Sequence, residues 1–142
     1  MKTVQQMLEG KPHRLLSIAP DTSVYDALAL MAEKDVGALV VLEDDKLVGI
    51  FSERDYARKI ILHGKASRDT RVSDIMTAKV VCVGESNTVD ECMALMTGRR
   101  VRHLPVLSGK KVVGVISIGD VVKEMLSEQQ FIIEQLEQYI KG

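Results

Sequence analysis

The chain has 142 residues, 46% of them hydrophobic and 27% charged, which is the size and composition of a globular domain able to bury a core without disulfides or metal. Nineteen Lys and Arg stand against 20 Asp and Glu, so a net charge of -1 argues against a dedicated polyanion or membrane-surface binder. Aromatics are only 4%, with no Trp, which leaves no stacking platform for single-stranded nucleic acid.

In chain order, the apolar run Leu15–Ile18 predicts a short strand. An amphipathic helix follows, with Val24, Ala27, Leu28 and Met31 at helical spacing. Leu39–Leu42 and Leu47–Phe51 flank the turn Glu43-Asp44-Asp45-Lys46 and predict a hairpin, and a second helix starts near Ser52. A polar linker, His63 to Arg71, leads into Val72-Ser73-Asp74-Ile75-Met76-Thr77, which loosely echoes Val4-Gln5-Gln6-Met7-Leu8. The same order then returns: strand Val80–Val83, helix with Val89, Cys92, Met93 and Met96, hairpin Leu104–Leu107 and Val112–Ile116, and a helix near Ser117. From Ser127 to Lys141 a third helical pattern carries an apolar stripe of Ile132, Leu136 and Ile140. Such a face needs an apolar partner, either the helix's own domain or a second copy across a dimer seam.

Residues 17–56 align without a gap on 82–121 at an offset of 65, with twelve identical pairs such as Val24/Val89, Leu39/Leu104, Gly49/Gly114, Ser52/Ser117 and Asp55/Asp120. Each unit reads β-α-β-β-α and is too small for a secure core alone. The expected fold is therefore α/β (α+β): two repeats, 8–62 and 72–126, packed about a pseudo-two-fold axis as one domain over 1–142, with a C-terminal helix over 127–142. All four predicted helix starts carry capping-box spacing, at Ser23/Asp26, Ser52/Asp55, Thr88/Glu91 and Ser117/Asp120.

Catalytic signals are few. His13, His63 and His103 are scattered, no zinc, nucleophile-elbow or phosphate-loop motif occurs, and Cys82 and Cys92 read as free thiols of a reducing compartment. No catalytic residue, catalytic cofactor or metal site is expected. No apolar run reaches the ~20 residues of a membrane span and residues 1–10 lack a signal-peptide pattern, so a cytoplasmic location is expected, with no membrane or nucleic-acid partner.

One constellation does carry chemistry. Gly49-Ile50-Phe51-Ser52-Glu53-Arg54-Asp55 and Gly114-Val115-Ile116-Ser117-Ile118-Gly119-Asp120 share Gly-h-h-Ser-x-x-Asp, with h hydrophobic. The motif sets a hydroxyl and a carboxylate at a helix N-terminus, where free N–H groups and the dipole attract anions. The Ser can donate to a phosphate, the Asp can accept both hydroxyls of a ribose, and the Gly would let a flat base approach the backbone. The competing reading is a plain capping box. In the first copy Arg54, Arg58 and Lys59 oppose the macrodipole on the first turns of the helix, which an anion between them would explain. Arg102 and His103, ahead of the second hairpin, could line the mouth of a site.

These markers, with Asp74-Ile75-Met76-Thr77 and Val101-Arg102-His103-Leu104-Pro105-Val106, resemble the CBS (cystathionine β-synthase) domain pair, or Bateman module, from about Val4 to Leu126. The resemblance implies a regulatory module rather than an enzyme, binding an adenosine nucleotide (AMP first, ATP, ADP or NAD as alternatives) in two clefts. It implies a first site of Gly37, Ala38, Ile50, Ser52, Arg54, Asp55, Arg58 and Thr77. A second would use Arg102, His103, Val115, Ser117, Gly119 and Asp120, with Pro12 in the place of Thr77. It also implies a homodimer that senses energy or redox state and signals to a regulated protein. The alternative class is a structural interaction module with no nucleotide ligand.

Overall fold

Polar side chains decide where the helices begin. The computed structural model describes residues 2–12 and 15–141; Met1, His13, Arg14 and Gly142 lie outside the described residues. Thr3 caps α1 (Val4–Glu9), Ser23 caps α2 (Val24–Lys34), and Ser52 caps α3 (Glu53–Asp55), which widens into a π-helical turn over Tyr56–Ile61. α4 (Val72–Ile75) starts after Arg71 without a side-chain cap, Thr88 caps α5 (Val89–Arg99), and Ser117 precedes α6 (Ile118–Lys141). The carboxylate returns a bond to the capping residue's N–H at Asp55, Glu91 and Asp120, whereas at Asp26 only the Ser23 hydroxyl accepts. Each such cap contributes about 1 kcal/mol.

Six strands form two three-stranded sheets. β1 (Ser17–Ile18) runs parallel to β2 (Ala38–Glu43), which pairs antiparallel with β3 (Lys46–Ser52). β4 (Val83–Gly84), β5 (His103–Ser108) and β6 (Lys111–Ser117) repeat that order. In the first hairpin Asp44 and Asp45 both take the left-handed backbone that a two-residue turn demands, at φ 51° and 63°. The first strand of each repeat is shorter than its apolar run. Only Val83 of the run Val80–Val83 enters β4, and upstream of it Thr77 forms an antiparallel bridge with Ile50.

The two short N-terminal helices change places. α1 packs in the second repeat's core, where Val4, Met7 and Leu8 join Val89, Cys92, Met96 and Ile116. α4 packs in the first, where Val72 and Ile75 join Val24, Met31, Leu39 and Phe51. Backbone bonds mirror the exchange: Val4 N–H donates to Asn87 O and Val72 N–H to Thr22 O. Thr3 bridges Thr88 as Arg71 bridges Ser23, so this segment runs three residues out of step with the 65-residue offset. A third cluster, Val40, Val112 and Val115 with Leu42, Leu47 and Leu107, joins the two sheets. Each repeat is thus completed by a piece of the other.

The C-terminal pattern is not a separate helix. α6 runs unbroken from Ile118, the start of the second repeat's last helix, to Lys141. It does not fold back on the body: Leu126, Phe131, Ile132, Ile133, Leu136, Tyr139 and Ile140 all remain exposed. No described helix is long and apolar enough to cross a membrane.

Candidate functional site

Two clefts open where the repeats meet. The first, about 360 Å³, lies at the start of α3. Ser52 and Asp55 form the expected capping box, with Asp55 Oδ2 accepting from Ser52 N–H at 3.0 Å and from the Ser52 hydroxyl at 3.1 Å. Asp55 Oδ1 accepts from the Thr77 hydroxyl at 3.1 Å and lies 3.3 Å from the Lys59 ammonium. The carboxylate is only 7% exposed, so it is held rigidly at the cleft wall.

Gly49 makes this arrangement possible. A Cβ there would sit 2.5 Å from Met76 Sδ and 3.0 Å from Thr77 O. The close approach lets Ile50 and Thr77 exchange two backbone bonds of 2.9 Å, which delivers Thr77 to Asp55. The Gly therefore admits the 76–77 backbone, not the flat base expected from the sequence. Arg54 donates to the Arg100 carbonyl at the C-terminus of α5 at 2.9 Å, which partly accounts for a basic residue in the first turn of α3.

The second cleft is smaller, about 180 Å³, and lies beside the start of α6. Ser117 and Asp120 repeat the capping box. Here, however, Lys11 reaches in, donating to Asp120 Oδ2 at 2.6 Å and to Val115 O at 2.7 Å. Burial pushes the Asp120 carboxyl up, but the Lys11 ammonium and the Ser117 donors outweigh it and hold the carboxyl below its ordinary range. His103 stands between the clefts and lines both, its Nε2 only 3.2 Å from where a Gly37 Cβ would be. Burial first, and the Lys11 charge second, push its pKa down to about 4, so the ring is neutral at physiological pH.

The structure brings Ile50, Ser52, Arg54, Asp55, Arg58 and Thr77 together as expected, and likewise Val115, Ser117 and Asp120. The segments ahead of the hairpins are exchanged. Arg102, expected in the second cleft, lines the first with Arg100 and Val101. Ala38, expected in the first, lines the second with Asp35 and Val36, while Gly37 and His103 face both. The cause is the pseudo-symmetry: each approach segment faces the motif of the other repeat. Pro12 and Gly119 line neither cleft, and Lys11 takes the place foreseen for Pro12.

Sequence reasoning missed Lys11, Lys79, Val80 and Val81. The echo of Val4–Leu8 in Val72–Thr77 was the signal for the lysines, because in that register Lys11 corresponds to Lys79. Among the described residues no cluster of three or more His, Cys, Asp or Glu is placed to hold a metal. Cys82 and Cys92 are free, and burial raises both thiols, Cys92 to about 11.

The family model of the CBS domain matches residues 12–62 and 72–127. The chain belongs to the CBS domain family. A CBS domain-containing protein of Arabidopsis thaliana, the mitochondrial CBSX3, is 45% identical over 127 residues, which are 86% of this chain and 62% of that protein. The chain thus spans less than two thirds of that curated relative. A solved CBS-domain protein of Burkholderia ambifaria MC40-6 superposes with a TM-score of 0.86 at 52% identity, over 90% of this chain and 96% of that one. The CBS domain pair of protein MJ0100, solved in complex with 5'-methylthioadenosine and S-adenosyl-L-methionine, shares the fold at a TM-score of 0.79 and 22% identity, over 90% and 98% of the two chains.

Proposed function

We propose that this CBS pair is a regulatory module that binds an adenosine nucleotide in the first cleft, with AMP as the leading ligand and ATP, ADP or NAD as alternatives. The observation that carries the reading is Asp55, a rigid carboxylate at a helix start, facing a cleft that Arg58 and Lys79 also line. A ribose diol would take over the acceptor positions that Thr77 and Lys59 now occupy, and the basic side chains would take the phosphate. The MJ0100 pair, whose ligands are both adenosine compounds, supports the class of ligand. The protein performs no chemistry of its own in this reading: occupancy reports energy or redox state to a regulated protein.

Homodimerisation accompanies this function. The exposed side chains Leu126, Ile133, Leu136 and Ile140 of α6 recur at heptad spacing, which suits a second copy of the same helix. The second reading is an interaction module without nucleotide, and the capping boxes favour it because they already use both motif carboxylates. Calorimetry and thermal shift with AMP, ATP and NAD separate the two. A saturable heat and a raised unfolding temperature support the sensor, whereas no response at millimolar ligand leaves the interaction module.

A further inference from the structure

We infer that α6 pairs with the α6 of a second copy in antiparallel orientation, so that the two bodies stand at opposite ends of a shared two-helix arm; the inference rests on the homodimer reading above. Val122, Leu126, Ile133, Leu136 and Ile140 form the seam, at spacings of four, seven, three and four, with Gln129 at its one polar place. All five apolar side chains are exposed, from 41% at Val122 to 82% at Ile140. The helix runs unbroken from Ile118 to Lys141, so it cannot turn this face onto its own body, and the cover has to come from another molecule. Five carboxylates against two lysines on α6 repel an anionic lipid surface, which favours a second apolar helix instead. From Val122 to Ile140 the seam runs for about 27 Å, or roughly five turns.

The two flanks of the seam set the orientation. One flank is polar, with Lys123, Gln130 and Glu137 seven apart; the other is apolar, with Met125, Ile132 and Tyr139 seven apart. In a parallel pair each flank meets the opposite flank of the second helix. Ile132 would then lie against Glu137, Met125 against Gln130 and Ile118 against Lys123, which leaves apolar surface beside polar groups and no ion pair. In an antiparallel pair each flank meets its own kind. With Val122 level with Ile140 and Leu126 level with Leu136, Ile132 meets its own counterpart and Met125 meets Tyr139. On the other flank Lys123 meets Glu137, and the two-fold axis makes that ion pair twice. Neither Lys123 nor Glu137 has an ion-pair partner of its own among the described residues. The opposed helix dipoles attract as well. Phe131 falls on the far side of the helix and takes no part.

Sedimentation of the intact protein over a concentration series measures the dimer, and charge reversal reads its orientation. Lys123→Glu and Glu137→Lys, both at exposed positions, are each expected to weaken the dimer about five- to tenfold at low salt, and the double variant to return to within about twofold of the starting protein. Disulfide trapping gives a reading independent of charge. In an equimolar mixture of Val122→Cys and Ile140→Cys chains, oxidation is expected to yield mixed dimers, with the unsubstituted protein as the blank for Cys82 and Cys92. Self-linked dimers of each single variant, charge reversals without effect, or a double variant no better than the singles overturn the antiparallel pairing and leave the homodimer reading standing. A protein that stays monomeric throughout the series overturns that reading itself, and the inference with it.

Discussion

The two clefts share a backbone and differ in what fills them. In the first, Asp55 is neutralised locally by Lys59, one turn along the same helical segment, and the cations donated by the other repeat stay free. In the second, Asp120 is neutralised from a distance: Lys11 lies 109 positions away in sequence and also ties down the Val115 carbonyl. The approach segments reinforce the contrast, with Arg100 and Arg102 on one side and Asp35 and Gly37 on the other. Pseudo-symmetry thus sets where a carboxylate and a hydroxyl stand, while a few side chains decide whether the space before them is open and positive or already occupied by an intramolecular ammonium.

The largest expected effect comes from the wall between the clefts. His103 is held neutral in the folded state with a pKa near 4, while the unfolded chain titrates near 6.5. The unfolded state therefore binds more protons between these values, so stability is full above pH 6.5 and falls as pH drops towards 4, by up to about 3 kcal/mol. Urea denaturation across that range is expected to show the slope, and His103→Gln to flatten it. The Lys11–Asp120 pair is lost at still lower pH, because a carboxyl with a lowered pKa contributes in full above its unfolded value and loses that contribution as pH falls through its folded one.

Asp55→Ala is expected to weaken nucleotide binding by about 1.5–3 kcal/mol, as loss of a charge-assisted hydrogen bond would. The same titration on Asp120→Ala checks the ranking: if that variant lost binding while Asp55→Ala kept it, the second cleft would be the working one. Gly49→Ala displaces the Met76 side chain and presses on the Thr77 carbonyl, and about 2 kcal/mol of stability is expected to go with it. Because the pressed carbonyl belongs to Thr77, which bonds Asp55, the first cleft is expected to lose affinity while the second keeps its geometry; chemical denaturation and binding together check this. Lys11→Met carries the smallest cost, about 1 kcal/mol for a partly exposed pair. It also empties the second cleft, and a rise from one to two nucleotides bound per chain is the expected readout.

Much of this was legible in the sequence because it rests on local rules. The duplicated strands and hairpins follow from apolar runs and turn residues, and the helix starts from Ser and Thr at fixed spacing. Ser52 and Asp55 were legible as one site through the motif, whereas Thr77 joined them only through the resemblance to the CBS pair. The crossing of the approach segments was not, because no local property of Arg102 or Ala38 says which repeat's motif it will face; that follows from how two sheets pack through Val40, Val112 and Val115. Lys11 was missed for a related reason. An alignment that holds the 65-residue offset hides a segment three residues out of step, and the lysine's partner is fixed only in three dimensions.

The exchange of α1 and α4 has a further consequence for how the molecule can be divided. A fragment beginning at Val72 carries all six strand and helix segments of one repeat, yet it brings α4, which fits the other core, and lacks α1, which fits its own. Two such fragments could complete each other only by trading those helices. The natural joints of this protein therefore do not lie between its repeats, and a duplication that began as a tandem copy has become a pair of interlocked parts that are inherited, expressed and unfolded together.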